Sequence, residues 1–276
     1  MSTLADQVTA LMREVAAREI MPRFRALAES DIEEKSKGDL VTVADRASER
    51  WLTPRLEALV SGSHVLGEEA AAADPALLDR LADDRALWTV DPVDGTGNFV
   101  AGRETFGVMI ALTERGETTH AWIYLPVTDE VAVAERGAGA FWMAGGSTAR
   151  MASGRAAPAA ADQSASFYVR FMPDDWKGPI ERHAGGIGRK ESNLCSAFDY
   201  TSVARGCHDF VTYYRMLPWD HAPGTLILRE AGGVVRDIET GLDYAPRTLK
   251  GPHLVARDED SWEQTAARIR ALRAHL

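Results

Sequence analysis

The chain has 276 residues, of which 45% are hydrophobic, and carries a formal net charge of −10 with a pI of about 5.2. That is enough apolar sequence for one large domain or two closely packed halves, which excludes a peptide-sized binding module. The acidity disfavours general binding to nucleic acid or membrane surfaces, themselves anionic, so any work on phosphate requires metal ions or a locally positive pocket.

Leu4, Val8, Leu11, Met12 and Val15 recur at three- and four-residue steps, predicting an amphipathic helix with Arg13, Glu14 and Arg18 on its polar face. This N-terminus lacks an apolar run of signal-peptide type, and no run approaches the roughly 20 residues of a membrane span. A cytoplasmic protein is therefore expected. Residues 30–38, polar and charged, are expected to form a mobile loop. Asp45 is placed to cap a helix running through Trp51 to Leu59. Apolar segments at 87–90, 106–112, 121–125 and 131–134, bounded by turn residues, predict strands of an antiparallel or mixed sheet.

The Ala-, Gly-, Ser- and Arg-rich stretch 144–163 is the clearest change of composition. It suggests an N-terminal α+β half, 1–145, and a C-terminal α/β half, 146–276, within one compact unit. Beyond it, a strand at 167–171, helices at 196–205 and 222–230, the stop Gly232-Gly233, strands at 234–238 and 253–256 and a final helix alternate as in α/β folds. Cys195 and Cys207, the only cysteines, have neither zinc-ligand nor redox spacing, and both are expected to be reduced and buried. His208 fits no ligand pattern and is expected as a helix-end histidine; Trp219 is expected to pack in the core.

Three segments carry the chemistry. In Trp88-Thr89-Val90-Asp91-Pro92-Val93-Asp94-Gly95-Thr96-Gly97-Asn98-Phe99, an apolar strand runs into two carboxylates and a glycine-opened turn. Pro92 fixes φ and removes a donor, so the chain is expected to leave the sheet at Asp91. Gly95 permits close backbone approach, and the N–H groups after it can point at an anion. Alone, this pattern also describes an ordinary surface turn. Upstream, Val65-Leu66-Gly67-Glu68-Glu69 repeats the strand, glycine and acid arrangement. Downstream, Asp220 in Pro218-Trp219-Asp220 stands ahead of a helix, as an N-cap or as a ligand.

Together and in this order, the segments resemble the inositol monophosphatase family, within the lithium-sensitive, magnesium-dependent phosphatase superfamily. The resemblance covers most of the chain. It rests on Asp-Pro-x-Asp-Gly-Thr followed by Asn-Phe, on Trp-Asp-x-Ala-x-Gly ahead of Glu-Ala-Gly-Gly, and on Gly38-Asp39-Leu40-Val41-Thr42-Val43-Ala44-Asp45. It implies a layered αβαβα fold of sugar-phosphatase type, a site between the two halves, and a homodimer. It further implies that Glu68, Asp91 and the Val93 carbonyl bind one Mg²⁺ and that Asp91, Asp94 and Asp220 bind a second, with a third, weaker ion admissible. Oxygen ligands suit this hard cation, and two such ions balance the four carboxylates.

A phosphate monoester brings a further charge of about −2. The Gly95 and Thr96 backbone donors and a mobile-loop lysine would offset it, Lys35 or its close competitor Lys37. By the resemblance, water activated at the metals attacks phosphorus in line without a phosphoenzyme, Thr96 and Asp45 orienting it beside Glu68. The cap role of Asp45 is compatible with this one. Aspartyl-phosphate phosphatases place one residue between their aspartates, whereas Pro92 and Val93 both intervene here.

The sequence departs from the inositol-specific pattern at Tyr213, where that pattern has a glutamate seven residues before the metal-binding aspartate. Tyrosine can stack on a ring or donate to an anion. Arg215 could grip a second phosphate or a carboxylate, or lie solvated at the surface. Inositol phosphate, sugar phosphates, bisphosphorylated nucleosides and histidinol phosphate all stay open as substrates. The alternative to a phosphomonoesterase is a regulatory binding protein on the same fold.

Overall fold

The computed structural model describes residues 2–154, 162–190 and 192–274. Its helices are α1 (Thr3–Val15), α2 (Val43–Leu59), α3 (Glu68–Ala73), α4 (Thr96–Val100), α5 (Asp174–Ala184), α6 (Ser196–Ala204), α7 (Pro218–Glu230) and α8 (Glu259–Arg273). A hairpin of β1 (Ile32–Ser36) and β2 (Asp39–Thr42) precedes α2. Seven strands then lie side by side in chain order: β3 (His64–Gly67), β4 (Leu87–Asp94), β5 (Gly107–Glu114), β6 (Glu117–Leu125), β7 (Glu130–Glu135), β8 (Gly139–Ala144) and β9 (Ser147–Arg150). β3 runs parallel to β4 and every later pair is antiparallel.

Helices cover both faces of this sheet, so its central strands read as near-continuous apolar runs, and the two-residue period decides which face each side chain serves. Val108, Ile110, Leu112 and Trp122 join the core with α1 and α2. Met109, Ala111, Ala121 and Ile123 join the core with α6 and α7. That second face includes Ala132, Ala134 and Ala140, whose small side chains let α7 lie close to the strands. Close approach extends to the helix pair itself, where a Cβ added to Gly224 would stand 2.1 Å from the Tyr200 ring. Gly224→Ala is expected to cost about 1–3 kcal/mol through overpacking, read as a lower urea midpoint. An unchanged midpoint would show that α6 and α7 can part without penalty.

The second sheet has the order β11 (Arg189–Lys190), β10 (Ser164–Phe167), β12 (Phe210–Arg215), β14 (Lys250–Ala256) and β13 (Val234–Asp237). α6 and α7 fill the space between the sheets, and α5 and α8 cover the far face. The layers are thus αβαβα, in agreement with the fold expected from the sequence. Among the described residues no helix is long and apolar enough to cross a membrane.

Several local expectations are corrected. Residues 30–38 are not a loop: most of them form β1, and Gly38, at φ +74°, makes the turn into β2. Strand pairing uses the backbone, which a polar side-chain pattern does not forbid. The N-cap of α2 is Thr42, and Asp45 is its capping-box partner, accepting from Thr42 N at 2.8 Å. α7 begins at Pro218 rather than at 222, because proline suits a first helical position. This makes Asp220 its third residue and not its N-cap. β10 ends at Phe167, so residues 168–171 leave the sheet. Cys195 is buried but Cys207 is exposed. Within the stretch 144–163, Ser147–Arg150 pairs with β8, and 155–161 lie outside the described residues.

Candidate active site

β4 does not end at Asp91. Its pairing with β5 runs from Leu87 opposite Thr113 to Asp91 opposite Met109, and resumes with Asp94 opposite Gly107. Pro92 and Val93 form a bulge, the one place inside a sheet where a residue without N–H is readily absorbed. Asp91 Oδ1 accepts from Val93 N at 2.9 Å, and both Asp91 and Asp94 line one cavity. Gly95 sits in the left-handed region, φ 84° and ψ 34°, and starts α4. A Cβ there would meet the Thr105 carbonyl at 3.0 Å. Thr96 Oγ1 lies 3.0 Å from the Val93 carbonyl oxygen and 3.2 Å from Asp45 Oδ1.

Glu68 opens α3, and a residue the sequence reading missed puts it there. The buried Glu49 carboxylate, on α2, accepts from Glu69 N at 2.8 Å and Ala70 N at 2.9 Å, which satisfies the free donors of a helix start. Gly67 lies against that carboxylate: a Cβ would come within 2.2 Å of Glu49 Cδ. The glycine before Glu68 is thus a packing requirement. Glu49→Ala is expected to cost about 1–2 kcal/mol, as loss of a helix cap does, and to weaken divalent-cation binding in titration calorimetry. Unchanged affinity at reduced stability would show that α3 holds Glu68 without its cap.

Ligand oxygens of Glu68, Asp91 and Asp220 all lie within 4.8 Å of one another. Asp94 stands beside this trio with Oδ2 engaged by the Cys195 thiol at 2.8 Å and by Ala197 N at 2.7 Å, at the start of α6. Burial, and then the Glu68 charge, push the Asp91 and Asp220 carboxyls well above the usual range. Asp94 is raised to about 6 by burial against the pull of the Ala197 and Cys195 donors. Burial also raises Asp45 to about 6, partly offset by Thr42, and Glu69 to about 7, with Glu68 adding to it.

Among the described residues the one ammonium beside these acids is Lys35, 2.6 Å from Glu68 Oε1 and 3.0 Å from Glu69 Oε1. Burial alone would lower its pKa, but the two glutamates carry it above the ordinary lysine value. Lys37, its competitor in the sequence reading, instead offers its backbone carbonyl to Arg170. Lys35, with Arg46 and Arg215 acting from further off, does not balance Asp45, Glu68, Glu69, Asp91, Asp94 and Asp220. Converging hard oxygens with uncompensated burial fit a divalent cation of the magnesium type.

Of these groups, Glu68, Asp91, Asp94 and Asp220 line a cavity of about 280 Å³ and form its floor. Its outer wall comes from residues 168–171, 194–196 and 213–215, with Gly38, Asp39 and Leu40 of the β1–β2 hairpin. Tyr213 donates its hydroxyl to the buried Asp199 at 3.1 Å and stacks on Tyr168, with ring centroids 4.9 Å apart. Its hydroxyl is therefore not free for an anion. Arg215 is not simply solvated, since Nη1 lies 3.5 Å from Asp39 Oδ2 and its guanidinium stands 4.2 Å from the Phe171 ring centroid. His221, next to Asp220, is held neutral by burial, which lowers it to about 3, and its nitrogens meet Tyr200 OH and the Arg215 carbonyl. Trp219 packs in a core cluster with Leu66, Leu81 and Leu87. Cys195, Asp199, Tyr168, Arg170 and Phe171 carried no signal in the sequence, because their relation to the site exists only across elements.

Comparison with known proteins gives a consistent result. The family model described as "Inositol monophosphatase family" matches residues 1–276. The "Nus factor SuhB" of Escherichia coli (strain K12) is 31% identical over 242 residues, covering 82% of this chain and 85% of that protein. The "Fructose-1,6-bisphosphatase/inositol-1-monophosphatase" of Thermotoga maritima is 32% identical over 206 residues, 74% of each chain. Among solved structures, the extragenic suppressor protein suhB from Bartonella henselae superposes with a TM-score of 0.79 at 24% identity, covering 98% of this chain and 99% of that one.

Proposed function

The chain belongs to the inositol monophosphatase family, and from that premise we propose that it is a magnesium-dependent phosphomonoesterase acting on a small phosphorylated metabolite. The observation that carries this reading is the convergence of Glu68, Asp91 and Asp220 on one point, beside Asp94 and at the floor of a cavity open to a small molecule. Those four carboxylates and the Val93 carbonyl would hold two magnesium ions, with a third, weaker ion admissible. Bound there, the ions supply Lewis acidity and positive charge at the reacting phosphate.

The chain's own groups do the positioning. Asp45 accepts from Thr96 Oγ1, which leaves a Thr96 lone pair to orient the attacking water, with Glu68 on the same side to take its proton. The Gly95 and Thr96 N–H groups face the phosphate oxygens, and Lys35 screens the substrate's charge. Cys195 and Ala197 hold Asp94 Oδ2 in one direction, so its other oxygen has a defined aim. Displacement is direct, with no phosphoenzyme. A compact unit of two halves, a homodimer in the cytoplasm and inhibition by lithium complete the reading.

The test is phosphate release from a panel of monoesters with added magnesium, with and without lithium. Turnover that lithium suppresses is expected. A folded, magnesium-binding protein that releases no phosphate from any of them would refute the reading. The relatives named Nus factors favour a second one, a regulatory binding protein on the same fold. Pull-downs with the parent and with Asp220→Asn separate the two: partners kept by an inactive variant would establish a role independent of catalysis.

A further inference from the structure

We propose that the mouth of the cavity selects phosphomonoesters whose alcohol half carries both a flat ring and a second anionic group, as a doubly phosphorylated nucleoside does, with Phe171, Arg170 and Arg215 as specificity-determining residues. This rests on the phosphomonoesterase reading. Residues 168–171 leave β10 and contribute Tyr168, Arg170 and Phe171 to the outer wall. Phe171 is 45% exposed, and Leu194, which lines the same cavity, is 56% exposed. A flat ring entering the mouth would cover both, recovering hydrophobic and stacking energy that the free protein forgoes.

Positive charge surrounds that aromatic. The Arg215 and Arg170 guanidiniums stand 4.2 Å and 5.0 Å from the Phe171 centroid. Arg170 donates to the backbone carbonyls of Gly38 and Lys37, and among the described residues no carboxylate pairs with it. Arg170's charge is thus uncompensated, while Arg215 faces Asp39, at 3.5 Å in a half-exposed pair that a phosphate can displace, and its charge also reaches the buried Asp220. A polyol, by contrast, finds poor company on this wall. Tyr213 OH is turned to Asp199, and Asp199 is buried and saturated by Ser166, Asn193 and Tyr213. The wall therefore recognises charge and a ring face better than a set of hydroxyls.

Four substrates separate the elements: adenosine 3′,5′-bisphosphate has ring and second phosphate, adenosine 3′-monophosphate the ring, fructose 1,6-bisphosphate the second phosphate, and inositol 1-phosphate neither. The parent's kcat/KM should be highest for the first, by about tenfold over each of the others, the scale of one base stack or one charge pair. Phe171→Ala should raise KM for the two adenosine compounds about tenfold, and Phe171→Tyr should restore it. Arg170→Ala and Arg215→Ala should raise KM for the two bisphosphates by about tenfold more than they raise it for inositol 1-phosphate.

Inositol 1-phosphate turned over as well as the adenosine bisphosphate would overturn the proposal. So would an Arg170→Ala variant that lowers all four alike, since that pattern marks a brace for the β1–β2 hairpin rather than a substrate contact. Release of phosphate from all four without preference leaves the phosphomonoesterase reading standing and removes only this one. Release from none overturns both.

Discussion

Asp91→Asn is expected to lower kcat by about three orders of magnitude on every phosphomonoester, because several kcal/mol of charge stabilisation are lost and each 1.4 kcal/mol is about tenfold in rate. The same variant should be more stable than the parent when both are free of metal. Asp91 is fully buried and faces Glu68, Asp94 and Asp220, so its carboxylate is opposed by both desolvation and like charge. Asparagine keeps the oxygen that accepts from Val93 N and removes the charge. Melting curves at pH 7.5 with a chelator should place the variant above the parent. A variant that is inactive and also less stable would mean that Asp91 serves the fold, and that the acidic cluster is not stability given up for a cation.

Saturating magnesium should raise the melting temperature of the parent by about 5–10 °C at pH 7.5, as about 2.7 kcal/mol of linkage at a hundredfold excess over Kd implies for a chain of this size. That gain should nearly vanish at pH 5. Asp45 and Asp94 titrate at about 6 in the folded, metal-free chain, against about 3.9 for a free aspartate, so between those values the native state holds more protons than the unfolded one. Stability of the metal-free protein therefore falls as pH rises through this window. Magnesium reverses the loss, because it binds only the ionised carboxylates.

The buried histidines act in the opposite sense. Burial lowers His183 to about 4 and His221 to about 3, so their contribution is lost as pH falls from the free-histidine value near 6.5 towards those values. Comparing scans with and without magnesium at each pH cancels that term. A magnesium shift of equal size at pH 5 and pH 7.5 would show that Asp94 is not a ligand.

The periodicity of the chain was sufficient for most elements, since burial on one helix stripe or on both faces of a strand leaves a mark on composition. It failed where backbone geometry decides independently of side chains. The hairpin at residues 32–42 needs only a turn at Gly38 and paired backbones, and the β4 bulge needs only a place for Pro92. The start of α7 slipped for a similar reason, Pro218 and Pro223 both being plausible first-turn residues.

The acids were legible as three motifs because a glycine or a proline marks each sharp change of chain direction, and those marks are local. Membership of a phosphatase family, and with it the αβαβα layering, was therefore readable from one sequence. Which groups meet across the layers was not. That Glu49 holds the start of α3, that Cys195 and the α6 amides hold Asp94, and that Arg170 and Arg215 flank an exposed Phe171 are relations between segments far apart in the chain. Nothing in the residues beside each one records its partner. The cavity joins them only where the start of α6 is held at Asp94, at the end of β4, and where residues after β10 and at the end of β12 line the same space, which is why the acidic motifs could be read in advance and the groups around them could not.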